Sequence, residues 1–189
     1  MHNYLPNLFI FLDEYNSQIF KNKNINLGII YRNYKAVQRE KELLKISVAC
    51  KRKRFKLFVA NNLKLAIKFK ADGIYIPSVN KTKKFSNLGK KNMIVLGSAH
   101  SQKEIHEKIG QNCKAIFLSP LFYMKKYKSS LGLHKFNYLS YLNKIDIFPL
   151  GGISVENIRK IKLLNTSGLG SIRMFKKKPA YKRPVFLKK

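Results

Sequence analysis

Residues 147–154 read Ile-Phe-Pro-Leu-Gly-Gly-Ile-Ser, an apolar run that ends in two glycines. Such a run predicts a buried strand followed by a tight turn. Ser154 is a favourable N-cap residue and Glu156 would lie in the first turn, so we predict that a helix begins there. A strand that delivers glycines to a helix N-terminus exposes backbone N–H groups that can hold a phosphate. An ordinary tight turn is the alternative at this point.

The alternation of a short apolar run with an amphipathic stretch repeats along the chain. Eight runs are predicted as strands: 8–12, 25–31, 55–60, 73–76, 93–96, 115–118, 145–150 and 168–172. Helices are predicted between them at 13–22 (a poor one), 36–49, 62–70, from the Ser101–Glu104 capping box onward, 134–142 and 154–164. The predicted inward faces carry Val37, Leu44 and Val48, then Leu63, Ala66 and Ile67, and in the last helix Val155, Ile158 and Ile161.

Eight strands with intervening helices predict an α/β fold, a TIM (β/α)₈ barrel in a single domain. A doubly wound parallel sheet is the alternative. The barrel must be compressed, because the chain has 189 residues and about 250 are typical. No convincing helix follows Phe175, so the last helix is expected to be missing or frayed. We therefore predict a barrel over residues 1–175 and a basic tail over 176–189.

The charge of the chain is strongly positive. Thirty-nine Lys and Arg residues against nine Asp and Glu give a net charge of +30, and such a field attracts polyanions. The excess is spread over every segment, with denser places at Lys51–Arg54 and in the tail. No RNA- or DNA-binding motif accompanies them, which favours a solvated surface over a nucleic-acid site.

Other compositional features point to the cytoplasm. No apolar run approaches the length of a membrane span, and the first residues lack the pattern of a signal peptide. Cys50 and Cys113 have neither metal-binding nor redox spacing, which fits a reducing compartment. We predict a cytoplasmic protein without a membrane span.

In a barrel the chemistry lies at the carboxyl ends of the strands. The residues predicted to lie there are Asp13, Glu14, Arg32, Asn61, Asn62, 77–80, Ser98, His100, 119–128, 151–154 and Arg173. His100 is predicted to orient the loop after the fifth strand.

Four motifs, in chain order, carry a family resemblance. They are Ala71-Asp72-Gly73-Ile74, then Leu96-Gly97-Ser98-Ala99-His100-Ser101, then Ser119-Pro120-Leu121-Phe122 with Leu131-Gly132-Leu133, and last Leu150-Gly151-Gly152-Ile153-Ser154 with Asn157. Over about residues 8–175 the chain resembles the thiamine phosphate synthase/TenI family. The family's thiazole tautomerases have a catalytic histidine where this chain has Pro120, so the resemblance is to the synthases of thiamine biosynthesis.

The resemblance implies a small phosphorylated ligand as the partner. The family's synthases join an aminopyrimidine diphosphate to a thiazole phosphate and release diphosphate with help from Mg²⁺. Mg²⁺ is therefore implied if the chain acts as a synthase, and no cofactor otherwise. The positions of the family's two metal aspartates read Asn61 and Asn80 here. A neutral amide is a weaker ligand for Mg²⁺ than a carboxylate, so we predict no metal ligands and weak or absent transfer activity.

The resemblance points to Arg32 and Ser98, and the other site residues are chosen for their positive charge or their backbone N–H groups at the predicted barrel mouth. The candidate catalytic residues are Arg32, Ser98 and Lys126, and the candidate phosphate-binding residues are Gly151, Gly152, Ile153, Arg173, Lys125 and Lys128. The alternative hypothesis is a non-catalytic basic barrel that binds RNA or another polyanion through Lys51–Arg54 and the tail.

Overall fold

The computed structural model describes residues 5–21, 26–34, 37–125, 127 and 129–172, with the backbone alone at Lys90 and Lys91. The strands are β1 Leu8–Leu12, β2 Leu27–Tyr31, β3 Lys56–Ala60, β4 Gly73–Ile76, β5 Ile94–Ala99, β6 Ala115–Leu118, β7 Asp146–Pro149 and β8 Leu169–Ser171. The α-helices of the described part are α1 Arg39–Lys53, α2 Leu63–Lys68, α3 Gln102–Gly110 and α4 Gly132–Leu142, and short 3₁₀ helices lie at Ile19–Lys21, Leu88–Lys91 and Ile158–Leu163. None of these helices is long and apolar enough to cross a membrane.

The eight strands form one parallel sheet that curves into a nearly closed barrel. Each strand pairs with the next from β1 to β7, and β1 also pairs with β8, so Leu8 lies opposite both Leu27 and Leu169. Between β7 and β8 the described residues form no ladder, but the Thr166 hydroxyl donates to the Ile147 carbonyl oxygen at 2.8 Å. This order confirms the barrel and excludes the doubly wound sheet, in which the first strand would not bridge to the last.

Aromatic rings fill the interior of the barrel. Phe9 packs edge-on against Phe117 at a centroid distance of 5.1 Å, and its ring lies tilted against that of Phe148 at 5.4 Å. Glycines on two strands make room for these rings, because a Cβ on Gly28 would stand 2.4 Å from Phe9 Cδ1 and one on Gly170 would stand 2.9 Å from Phe117 Cδ1. The interior is therefore a packed core and not a channel.

Gly28→Ala is expected to destabilise the fold by about 1–3 kcal/mol, because the added methyl meets a ring that is enclosed on all sides. Gly110→Ala, at the end of α3, is the matched control, since a Cβ there meets nothing within 4 Å. Urea unfolding of the two variants measures the difference. Equal midpoints would show that the Phe9 ring can move aside.

Helix α1 packs against the sheet with a different face from the one predicted. Leu43, Ile46, Ala49 and Cys50 are buried, whereas Val37, Leu44 and Val48 are exposed, so the predicted inward face was wrong. Both faces have apolar residues at helical spacing. The buried one includes Ser47, Ala49 and Cys50, whose small side chains let the helix approach the sheet closely.

Three further helix predictions need correction. Of the predicted helix 13–22, the described residues 13–21 form only the single 3₁₀ turn Ile19–Lys21. In α2, Ile67 is 62% exposed, while Leu65 and Ala66 are buried. Only the 3₁₀ helix Ile158–Leu163 lies within 154–164; Ile158 and Ile161 are buried there as predicted, but Val155 is 60% exposed. Ser154 is not an N-cap residue.

Both thiols lie in the core, and burial raises the pKa of Cys50 and of Cys113 to about 12. Since the thiolate is the reactive form, neither thiol should react appreciably with a disulfide reagent at pH 8 while the protein is folded. In urea both should react. Rapid labelling of the native protein would contradict this burial.

Candidate phosphate-binding site

The carboxyl ends of the strands form one open end of the barrel, here called the mouth, and Arg32 lies at it directly after β2. Its Nε donates to Asp13 Oδ1 at 3.2 Å, and its Cζ lies 5.6 Å from the centroid of the Phe11 ring. The side chain keeps 31% of its surface exposed. The structure thus places this predicted residue where a bound anion can reach it.

The two substituted metal positions meet at the mouth, as the resemblance implies. Asn80 Nδ2 donates to Asn61 Oδ1 at 2.5 Å, and Asn80 Oδ1 accepts from the backbone N–H of Thr82 at 2.9 Å. Both amide oxygens therefore already have donors. Asn61 adopts a φ of 57°, which asparagine tolerates better than most residues.

These residues do not fit a divalent cation. Such an ion prefers charged oxygen ligands, whereas here two neutral amides bind each other. Among the described residues no group of three or more His, Cys, Asp or Glu side chains could hold a metal ion. Asp13 also lies at the mouth, but its carboxylate is paired with Arg32.

Ser98 lies inside β5, because this strand runs on to Ala99 and not only to Leu96 as predicted. Its side chain is buried, and its Oγ accepts a hydrogen bond from Tyr75 Oη at 2.8 Å. Burial raises the pKa of Tyr75 far above its usual value, so the phenol stays a donor. Tyr75 packs edge-on against Phe11, and the Ser98–Tyr75 pair therefore forms a polar floor between the mouth and the aromatic interior.

The turn after β7 has backbone N–H groups that are unpaired within the described part of the chain. The N–H groups of Gly151, Gly152 and Ile153 donate to no acceptor among the residues that the structure describes. All three residues are half-buried at the mouth. Three successive N–H groups with no described acceptor are available to phosphate oxygens.

Both glycines are required by the local backbone. Gly151 and Gly152 have φ values of 89° and 72°, which favour glycine. A Cβ on Gly152 would also lie 2.5 Å from the carbonyl oxygen of Phe122. Asn157 closes the turn, since its Nδ2 donates to Gly152 O and its Oδ1 accepts from the Ser154 N–H. The donors thus come from a glycine turn and not from a helix N-terminus.

A loop from β6 covers this turn and carries Lys125. Backbone bonds from Leu131 to Pro120 and from Gly132 to Leu121, both 2.9 Å long, close the base of the loop. Met124 Sδ would lie 3.1 Å from a Cβ on Gly151, and Lys125 beside it is exposed. The predicted residues Lys126, Lys128 and Arg173 lie outside the described residues.

His100, which was predicted to orient the loop after β5, makes hydrogen bonds at both ends of that loop region. Its Nδ1 lies 2.7 Å from the Ser119 carbonyl oxygen, and its backbone N–H donates to Glu104 Oε2 at 2.7 Å. The side chain therefore joins the loop after β5 to the start of the β6 loop.

Sequence reasoning missed two cationic side chains that hold the strand ends. Arg39, the first residue of α1, donates through Nη2 to the Ala60 carbonyl oxygen at the end of β3, at 2.8 Å. Lys108 of α3 is fully buried and contacts the chain after β4. A signal for Lys108 was present, because it lies three residues after the buried Ile105 on the same helix face.

The basic run Lys51–Arg54 lies far from the mouth. It ends α1, and the strand β3 begins directly after it, so it belongs to the opposite end of the barrel. Any binding of a polyanion there would be separate from the glycine turn. The other basic segment, 176–189, lies outside the described residues.

Comparison with known proteins finds thiamine-phosphate synthases among the relatives of this chain. A family model described as thiamine monophosphate synthase matches residues 22–175. A thiamine-phosphate synthase of Prochlorococcus marinus strain MED4 is 30% identical over 128 residues, which cover 65% of this chain and 36% of that protein. One from Flavobacterium psychrophilum is 32% identical over 123 residues, covering 59% of each protein. The chain thus spans between about a third and three fifths of the length of these curated relatives.

The fold has solved counterparts as well. The thiamine phosphate pyrophosphorylase of Pyrococcus furiosus superposes with a TM-score of 0.70 at 16% identity, over 89% of this chain and 86% of that one. This likeness concerns the fold, and the match of the family model covers most of the barrel. That family-model match shows that the chain belongs to the thiamine monophosphate synthase (TMP-TENI) family.

Proposed function

We propose that the chain is a thiamine phosphate synthase-like protein of thiamine biosynthesis that binds thiazole phosphate and diphosphate ligands at the barrel mouth. The observation that carries this proposal is the row of N–H groups at Gly151, Gly152 and Ile153. A phosphate monoester there would receive hydrogen bonds from groups that have no other described acceptor. Membership of the family supplies the chemical class of the ligand.

The diphosphate half of the site is proposed to be cationic. Arg32 is already oriented by Asp13 and Phe11, which lowers the entropy lost when it grips a phosphate. Lys125 lies beside the glycine turn, and Lys126, Lys128 and Arg173 are proposed to add to the same positive field. Ser98 is proposed to contact the pyrimidine side of the ligand through a hydroxyl proton that no described residue accepts.

Joining the two substrates requires that diphosphate leave, and negative charge develops on it as it does so. The synthases of this family use Mg²⁺ for that task, but Asn61 and Asn80 do not fit the ion. Arg32 and Lys126 are the candidate residues that would stabilise the leaving group directly. Side-chain cations organise a diphosphate less rigidly than a chelated metal does, so we expect the transfer reaction to be weak or absent.

A synthase assay tests this function. The parent protein and Asn61→Asp/Asn80→Asp are incubated with the aminopyrimidine diphosphate, the thiazole phosphate and Mg²⁺. We expect little product from the parent and more from the double variant, since its carboxylates can hold the metal. Product from neither would contradict the proposed transfer chemistry and leave ligand binding as the property to measure.

The polyanion-binding alternative predicts different behaviour. Binding of RNA through Lys51–Arg54 should weaken steeply with salt and survive substitution of Gly152. Binding of a small ligand at the mouth should depend on Gly152 and respond less to salt.

A further inference from the structure

The chain after β4, residues 77–82, is held in place by a buried lysine of α3. The Nζ of Lys108 donates to the carbonyl oxygens of Pro77 at 2.9 Å and of Asn80 at 2.7 Å. Its third donor goes to Gln111 Oε1, also at 2.9 Å. All three protons of the ammonium are therefore used, which explains how a fully buried lysine is tolerated.

Gln111 extends the same set of contacts. Its Nε2 donates to the carbonyl oxygens of Asn80 at 2.9 Å and of Thr82 at 2.8 Å. The segment 77–82 thus receives four hydrogen bonds from two buried side chains of one helical turn. Because all four bonds are accepted by backbone carbonyl groups, they hold the backbone of the segment directly.

The sequence makes room for this lysine at Gly97. A Cβ on Gly97 would stand 2.8 Å from Cys113 Sγ and 3.0 Å from Lys108 Cδ. The aliphatic stem of Lys108 therefore crosses β5 at its glycine. The glycine of the motif Gly97-Ser98-Ala99-His100 therefore has a packing role of its own.

We propose that Lys108 and Gln111 are positioning residues that set the segment 77–82 at the barrel mouth and so fix Asn80 against Asn61. The ammonium of Lys108 draws two carbonyl oxygens of this segment, those of Pro77 and Asn80, toward one positive charge. Two experiments test this inference, and only the second, which measures the affinity for pyrophosphate, rests on the proposed function.

Hydrogen–deuterium exchange of the backbone amides in residues 77–82 tests the proposal directly. Lys108→Met keeps most of the stem and removes the donors, and we expect exchange in this segment to become at least about tenfold faster. Lys103→Met, an exposed lysine on the same helix, is the matched control and should leave exchange unchanged. Gln111→Leu serves as the second variant if Lys108→Met does not fold, with a smaller acceleration centred on residues 80–82.

Titration with inorganic pyrophosphate gives the second readout. We expect Lys108→Met to weaken its affinity about tenfold and Lys103→Met to leave it unchanged. No binding of pyrophosphate by the parent would overturn the proposed function, while the exchange experiment would still decide the role of Lys108. Exchange in 77–82 that is equally slow in Lys108→Met, Gln111→Leu and Lys103→Met would overturn the proposal, even if the variants were less stable overall.

Discussion

Gly152→Ala is expected to remove measurable binding of thiazole phosphate and to destabilise the protein. An alanine at a φ of 72° costs about 1–2 kcal/mol in backbone strain alone. Its Cβ would also stand 2.5 Å from the Phe122 carbonyl oxygen and 2.7 Å from the Phe122 carbonyl carbon. Since both are backbone atoms, the glycine turn or the β6 loop must shift. The N–H groups of Gly151, Gly152 and Ile153 would then move from the positions in which we propose that they bind the phosphate.

Gly89→Ala is the control for this variant, because a Cβ on Gly89 meets nothing within 4 Å and no positive φ is involved. It should keep full ligand affinity and change stability by less than about 1 kcal/mol. Calorimetric titration with thiazole phosphate and urea unfolding measure the two effects. Unchanged affinity in Gly152→Ala would show that the glycine turn does not bind the ligand.

Asn61→Asp/Asn80→Asp is expected to make the stability of the protein depend on Mg²⁺. The double variant loses the donor Asn80 Nδ2 and brings two carboxylates to a position where the amide atoms now lie 2.5 Å apart. Like charges at this distance cannot both remain ionised without a cation. In EDTA the melting temperature should therefore fall, and a Mg²⁺ concentration of 100 times the dissociation constant should return about 2.7 kcal/mol.

The single variant Asn61→Asp separates charge repulsion from loss of the hydrogen bond. Its carboxylate can still accept from Asn80 Nδ2, so its stability should stay close to that of the parent. The parent should melt at the same temperature in EDTA and in Mg²⁺, as measured by thermal unfolding. If Mg²⁺ stabilised the parent as strongly as the double variant, the account of the amide pair would be wrong.

The strands could be predicted from the sequence because a barrel strand buried on both faces is a short continuous apolar run. Three of them, Leu8–Leu12, Gly73–Ile76 and Ala115–Leu118, match the prediction to the residue. The face of α1 could not be predicted in the same way, since Leu44 and Val48 and also Leu43 and Ile46 form a plausible stripe. The contact with the sheet favours the side with small residues, and periodicity does not contain this information.

The site was predicted through its motifs, and the structure changes the physical reason for two of them. Gly151 and Gly152 matter because both have positive φ values, and the backbone of Phe122 also approaches Gly152 closely, whereas a helix N-terminus was predicted there. Gly97 matters because Lys108 passes over it. Lys108 itself was missed, since a lysine in an amphipathic helix is normally assigned to solvent.

Calorimetric titration of the parent protein with thiazole phosphate, in EDTA and again in Mg²⁺, tests the central claim most directly. The account predicts saturable binding of one ligand per chain, of equal affinity in both buffers, because the N–H groups of Gly151, Gly152 and Ile153 hold the phosphate without a metal. No binding in either buffer, or binding only in Mg²⁺, would contradict it.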